Sequence, residues 1–154
     1  MKELTGRGNT ACLDNPGLAE GTTVTITSAN AISYAVDGKI YSKAATTNDV
    51  LDTTTDATTG EAFVAQSALT ACVYVYGLNA AGETGAAKGT EVAINAAGDY
   101  VGGYPQFPAL VEDFCPIGYI TVKNASTSVE WTFNTTNWTT ASVTTNFQAV
   151  LTLP

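Results

Sequence analysis

Residues 32–42, ISYAVDGKIYS, join two short alternating runs at Asp37-Gly38, and no other stretch constrains the fold as tightly. Asp-Gly accepts positive φ at both centres of a type I′ turn, whose twist matches that of paired strands. A two-residue turn also sets the register, pairing Val36 with Lys39, Tyr34 with Tyr41 and Ile32 with Lys43. One face then carries Ile32, Tyr34, Val36 and Tyr41. The other carries Ala31, Ser33, Ala35, Ile40, Ser42 and Ala44, nearly all of them small. A face so low can lie close against another backbone, in the same subunit or in a neighbour.

The rest of the chain repeats this short-strand pattern. Threonine and valine, stiff at χ1, fit a pleated surface better than a helix. Alternation predicts strands over 22–27, 62–66, 69–76 and 90–95, and within IGYITVKN, SVEWTFN and SVTTNFQAVLTLP. In LTACVYVY both alternating sets are apolar, as in a central strand buried on both sides. Residues 45–60 are polar and aperiodic and read as a surface loop. Residues 98–116 hold three of the five prolines and four aromatics, which predicts an ordered aromatic loop. About nine short strands with polar turns predict an all-β chain, a single β-sandwich or jelly-roll-like domain over 22–154. Residues 1–21, rich in Gly, Asn and Pro, read as an extended N-terminal arm.

The chemistry is mostly exclusions. The chain lacks histidine, so Ser-His-Asp and Cys-His machinery is absent. No glycine pattern matches a P-loop or dinucleotide fingerprint. Asp52-Thr53-Thr54 departs from the Asp-Thr-Gly of aspartic proteases at its third residue. Glu112 and Asp113, as sequence neighbours, would point to opposite faces of an extended segment, unlike a paired glycosidase site. Asp49, Asp52, Asp56 and Glu61 offer oxygens for calcium but not in the order of an EF-hand loop. The expectation is a non-enzymatic protein without cofactor or metal.

The net charge is −8 and the six cations are scattered, which argues against nucleic acid and against an anionic membrane as partners. Charged residues make up 13%, about half the usual share. A surface wetted by Thr, Asn and Ser instead suits an extracellular or particle-borne protein. Residues 1–20 contain no apolar stretch of the signal-peptide kind. The longest apolar run, 71–78, is too short to span a bilayer as a helix.

Cys12, Cys72 and Cys115 show no CxxC spacing. They read as reduced, buried small hydrophobes, with a Cys72–Cys115 disulfide as the alternative. Asn124, Asn134 and Asn137 each head an N-glycosylation triplet of the kind that a Thr- and Asn-rich chain produces by chance. Trp131, alternating with Val129 and Phe133, is expected in the core, and Trp138 within NTTNWTT at the surface. The candidate contact residues are Arg7 and Leu13 of the arm, Ser33 and Ala35 of the hairpin, Tyr104 and Phe107 of the aromatic loop, and Trp138. Aromatics of this kind serve either a protein interface or a sugar platform.

Three segments, AISYAVDGKIYSK, TACVYVYGLNAAGE and DFCPIGYITVKN, in this order and spacing, give the span 31–124 a family likeness. It resembles the capsid decoration or cement proteins of tailed bacteriophages. That resemblance implies a β-rich virion protein made in the host bacterial cytoplasm, binding the outer capsid surface with the major capsid protein as partner. It also implies a homo-oligomer, a trimer being favoured, that clamps neighbouring capsomers. Placement in tail, neck or fibre is the first alternative, and a carbohydrate-binding β-sandwich using Trp138 the second.

Overall fold

A computed structural model describes residues 10–149. Over that span the protein is all-β and forms a sandwich-like domain of three antiparallel sheets. The largest runs in the order β11 (Val143–Ala149), β10 (Cys115–Asn124), β7 (Thr70–Leu78) and β8 (Thr84–Lys88), with β9 (Val92–Ala93) also pairing β7. A second contains β1 (Ala11–Cys12), β4 (Ile32–Val36) and β5 (Lys39–Lys43). The third contains β2 (Leu18–Glu20), β3 (Ile26–Ser28) and β6 (Thr46–Asp49).

The hairpin forms in the register its turn dictates: Val36 opposite Lys39, Tyr34 opposite Tyr41, Ile32 opposite Lys43. Asp37 and Gly38 both take positive φ, 49° and 75°, as a type I′ turn requires. Tyr34 and Tyr41 stack at 5.6 Å across the pair. β7 is buried along both faces, as its double apolar alternation predicts.

One face of the large sheet carries Tyr74, Tyr76, Ile120 and Val122. It packs against the inner faces of both small sheets, including Ile26, Ile32, Tyr34 and Val36, in one continuous core. The opposite face carries Val73, Val75 and Tyr119. The 98–114 loop lies over that side, where Phe107 meets the Tyr119 ring edge-on at 5.0 Å. Gly118 is required by packing, because a Cβ there would collide with the Leu18 side chain and the Gln148 carbonyl. This contact seats β2 directly on the large sheet.

Several expected strands take other forms. The first strand of the 22–27 run is displaced to Ile26–Ser28, because Thr22 to Val24 form a turn closed by Thr25 N–H donating to the Thr22 carbonyl. Residues 62–66 contribute only isolated bridges, Ala62 to Thr55 and Gln66 to Trp131. SVEWTFN likewise forms no strand. Trp131 and Phe133 are buried while Val129 is 56% exposed, so the alternation does not extend to Val129.

The 45–60 segment is more than a surface loop. It supplies β6, the buried Leu51, and a strip that covers the free edge of β8. Residues 10–20 of the arm supply β1 and β2 and bury Cys12 and Leu18, so they belong to the sandwich. Residues 1–9, including Arg7, and 150–154, including Leu151 and Leu153, lie outside the described residues.

Trp138 is core, not surface: it is 2% exposed and its indole N–H donates to the Thr25 carbonyl at 2.8 Å. Its ring packs with those of Trp131, Phe133 and Phe147. The polar NTTNWTT context misleads because the surrounding threonines and asparagines form turns that fold the indole inward.

Candidate functional site

Leu13, Ser33 and Ala35 converge on one surface, the outer face of the β1–β4–β5 sheet. Antiparallel pairing explains why. Directly opposed residues share a face, so Ala11, Ala35 and Ile40 form one row across the three strands. Leu13 donates its N–H to the Ser33 carbonyl at 2.9 Å, which extends the pairing and puts Leu13, Ser33 and Ser42 in the next row. Ile40 is 74% exposed and Leu13 49%, with the smaller Ser33 and Ala35 between them.

This face is rigid as well as low. Its underside, Cys12, Ile32, Tyr34 and Val36, is locked into the core, and the Tyr34 hydroxyl donates to the Asn79 carbonyl. The Ser33 N–H donates to the Asp14 carboxylate at 2.9 Å, pinning the chain just beyond β1. Lys39 and Lys43 end the exposed β5 strand, a placement that discourages strand addition along that edge while leaving the apolar face open. Ile40 is the residue that the choice of contact candidates missed. Its position opposite Ala35 in the predicted register was the signal for it.

The other candidates go elsewhere. Tyr104 and Phe107 lie on the far side of the large sheet, 75% and 36% exposed. Tyr104 packs beside Tyr100 at 4.7 Å, and the Lys123 ammonium sits 4.4 Å from the centre of the Tyr100 ring. Next to them is a cleft of about 350 Å³ lined by Tyr100, Thr121, Lys123, Thr144, Thr145 and Asn146.

The acidic residues of the 49–61 segment act as structural acceptors. Asp52 Oδ2 takes hydrogen bonds from the Thr84 N–H and hydroxyl, and Asp56 takes three from backbone N–H groups of Thr58, Thr59 and Lys88. Asp49 faces the Lys43 ammonium and the Tyr76 hydroxyl. Asp49, Asp52 and Asp56 thus direct their lone pairs at protein donors, with Lys43 facing both Asp49 and Asp52, rather than at a shared oxygen cage. Among the described residues there is no group of three or more His, Cys, Asp or Glu side chains placed to hold a metal ion.

All three thiols are free and buried. A Cys72–Cys115 bridge is ruled out by register: Cys72 lies opposite Val122 and Cys115 opposite Leu78, six residues further along β7. That separation is roughly 20 Å, beyond the reach of a disulfide. Burial pushes the Cys72 and Cys115 thiols up to about 12, so neither presents a thiolate at neutral pH. Asn124 is also unsuited to glycosylation in the folded chain, since it is 1% exposed and donates its amide to the Ser67 and Val129 carbonyls.

No family model matches the chain, and neither a curated protein nor a solved structure matches it at a significant level.

Proposed function

We propose that this chain is a non-enzymatic virion structural protein that binds the outside of a tailed-phage capsid and stabilises its lattice. The observation that carries this reading is the outer face of the β1–β4–β5 sheet, where Ala35 and Ser33 are flanked by the exposed Ile40 and Leu13. A flat, preformed apolar face binds a rigid lattice with little ordering cost. Repetition of such a contact around a symmetric particle adds avidity to weak individual interfaces. The acidic balance keeps unbound copies apart before they meet their partner, the major capsid protein. A homotrimer is the arrangement this reading favours.

The test is the copy number of the protein in purified particles, by quantitative mass spectrometry against the major capsid protein. A number comparable with that of the capsid protein supports lattice decoration. A small fraction of it moves the protein to neck, tail or fibre, and absence from particles overturns the virion reading.

A second reading is favoured by a different observation. Exposed Tyr104, beside Tyr100 and a cleft holding hydroxyl, amide and ammonium groups, has the ingredients of a carbohydrate subsite. It replaces Trp138, whose burial removes it from any sugar platform. Loss of glycan-array signal on Tyr104→Ala would support it, and a wild-type protein silent on the array would end it.

A further inference from the structure

Cys12 and Cys115 lie about 100 residues apart in the chain yet are buried in the same hydrophobic core cluster. Cys12, the last residue of β1, lies opposite Tyr34 and points to the inner side of its sheet, 4% exposed. Cys115 opens β10 opposite Leu78 and is fully buried. The irregularity between Pro116 and Gly118 decides its direction. Without that bulge Cys115 would alternate onto the far face; with it, Cys115 shares the face of Leu78 and Tyr76, which looks toward β1 and β4.

Independent contacts bring the two strands together at this point. The Thr10 hydroxyl donates to the Glu112 carbonyl at 3.1 Å, tying the chain two residues before Cys12 to the chain three residues before Cys115. β1 packs directly on β10. β10 also packs on β4, the strand on which Tyr34 lies opposite Cys12. Burial raises the Cys115 thiol, and Cys12 acts on it in the same direction.

We propose that Cys12 and Cys115 are a redox pair that closes to a disulfide when the protein passes into an oxidising environment, fastening the N-terminal strand to the large sheet. Cys72 takes no part. The inference does not depend on the virion reading. Both thiols are shielded in the closed fold, so oxidation proceeds through fraying of β1, a two-residue edge strand held by few ladder bonds. A low-molecular-weight disulfide such as oxidised glutathione supplies the oxidising equivalents. One cysteine thiolate displaces a glutathione to give a mixed disulfide, and the second cysteine displaces the other. Two cysteine thiols become one disulfide, and the two thiol protons end on two reduced glutathiones.

Trypsin leaves each cysteine in a separate peptide: 8–39 for Cys12, 44–88 for Cys72 and 89–123 for Cys115. The reduced protein is incubated with oxidised glutathione, blocked with iodoacetamide in denaturant, digested without reductant and mapped by mass spectrometry. The expected result is peptide 8–39 linked to 89–123, with Cys72 alkylated and the thiol count falling from three to one. The Cys72→Ala variant gives the same link. A loop of roughly 100 residues is closed, so the oxidised protein should melt about 5–10 °C higher, returning to its original midpoint after dithiothreitol. Glutathione retained on 8–39 without a cross-link, a bridge involving 44–88, covalent dimers, or a linked protein that melts no higher would each overturn the proposal.

Discussion

Asp56 Oδ2 accepts the backbone N–H of Lys88 at 2.8 Å, across the edge of the large sheet. Nearby, Ala57 N–H donates to the Ala86 carbonyl and Thr53 N–H to the Thr84 carbonyl, so the 52–57 strip satisfies an edge that would otherwise be open. Asp56 is 6% exposed, and its other oxygen caps the turn at Thr58 and Thr59. Asp56→Ala leaves three part-buried N–H groups without their acceptor and should cost about 1–3 kcal/mol. Urea unfolding checks the loss of stability, and light scattering checks self-association through the uncovered β8 edge.

Trp138→Ala removes the indole that joins Trp131, Phe133 and Phe147 and leaves the Thr25 carbonyl without its donor. The expected loss is about 3–5 kcal/mol. Total stability for a domain of this size is about 5–15 kcal/mol, so the variant would be marginal or unfolded. Denaturant melts followed by tryptophan fluorescence test this, and a variant of native stability would contradict the assignment of Trp138 to the core.

Gly38 sits at φ 75°, where an L side chain strains the backbone. Gly38→Ala should destabilise by about 1–2 kcal/mol without changing the hairpin register, since Asp37 still favours the turn. Thermal unfolding gives the magnitude, and the Tyr34–Tyr41 contact, followed by NMR, gives the register.

Three carboxyl groups are held below their usual values, so stability falls with acid; at Asp14 hydrogen bonds from the Ser33 side chain and backbone are the cause. The Thr84 N–H holds the Asp52 carboxyl below the usual range, aided by the Thr84 hydroxyl and Lys43 and opposed by burial. At Glu91 burial acts upward as the largest single influence, but hydrogen bonds from Lys88 and Ser67 together with the Lys88 charge carry it below the usual value. A group whose value is lowered on folding stabilises fully above its unfolded value and loses that contribution as pH falls through the folded one. The melting temperature should therefore hold from pH 7 to about 5 and drop by several degrees below about 4. Asp52→Asn should flatten part of that drop, and an unchanged profile would contradict the role given to Asp52.

Ile40 projects from the sheet surface without supporting the core. Ile40→Asp should leave stability within about 0.5 kcal/mol of the parent. If the outer face is the capsid contact, the same variant should lose particle binding in a co-sedimentation assay, and Leu13→Asp should do likewise. Full binding by both would move the contact away from this face.

Local signals account for much of this architecture. Asp37-Gly38 carries both turn type and register in adjacent residues, and the uninterrupted apolar run from Ala71 to Tyr76 marks a strand with two buried faces. The low outer face of the hairpin was legible for the same reason, because opposed residues follow from the turn. By contrast, SVEWTFN alternates like a strand but finds no continuous partner, so only Trp131 bridges to Gln66. Gln66 itself is wholly buried, its side chain donating to the Thr70 and Val122 carbonyls, a role its local sequence does not announce.

Short-range chemistry, readable residue by residue, dictates an all-β chain, the hairpin and its two faces, a doubly buried β7, and the lack of histidine in the chain. Where polar-looking segments go is settled by long-range packing. Trp138 turned inward, the acidic 52–57 strip became the cover of β8, and residues 10–20 joined two sheets. It also brought Cys12 beside the start of β10, through a bulge that reverses the facing of Cys115. These outcomes depend on contacts between residues far apart in the chain, where burial of apolar surface and satisfaction of backbone donors outweigh local preference.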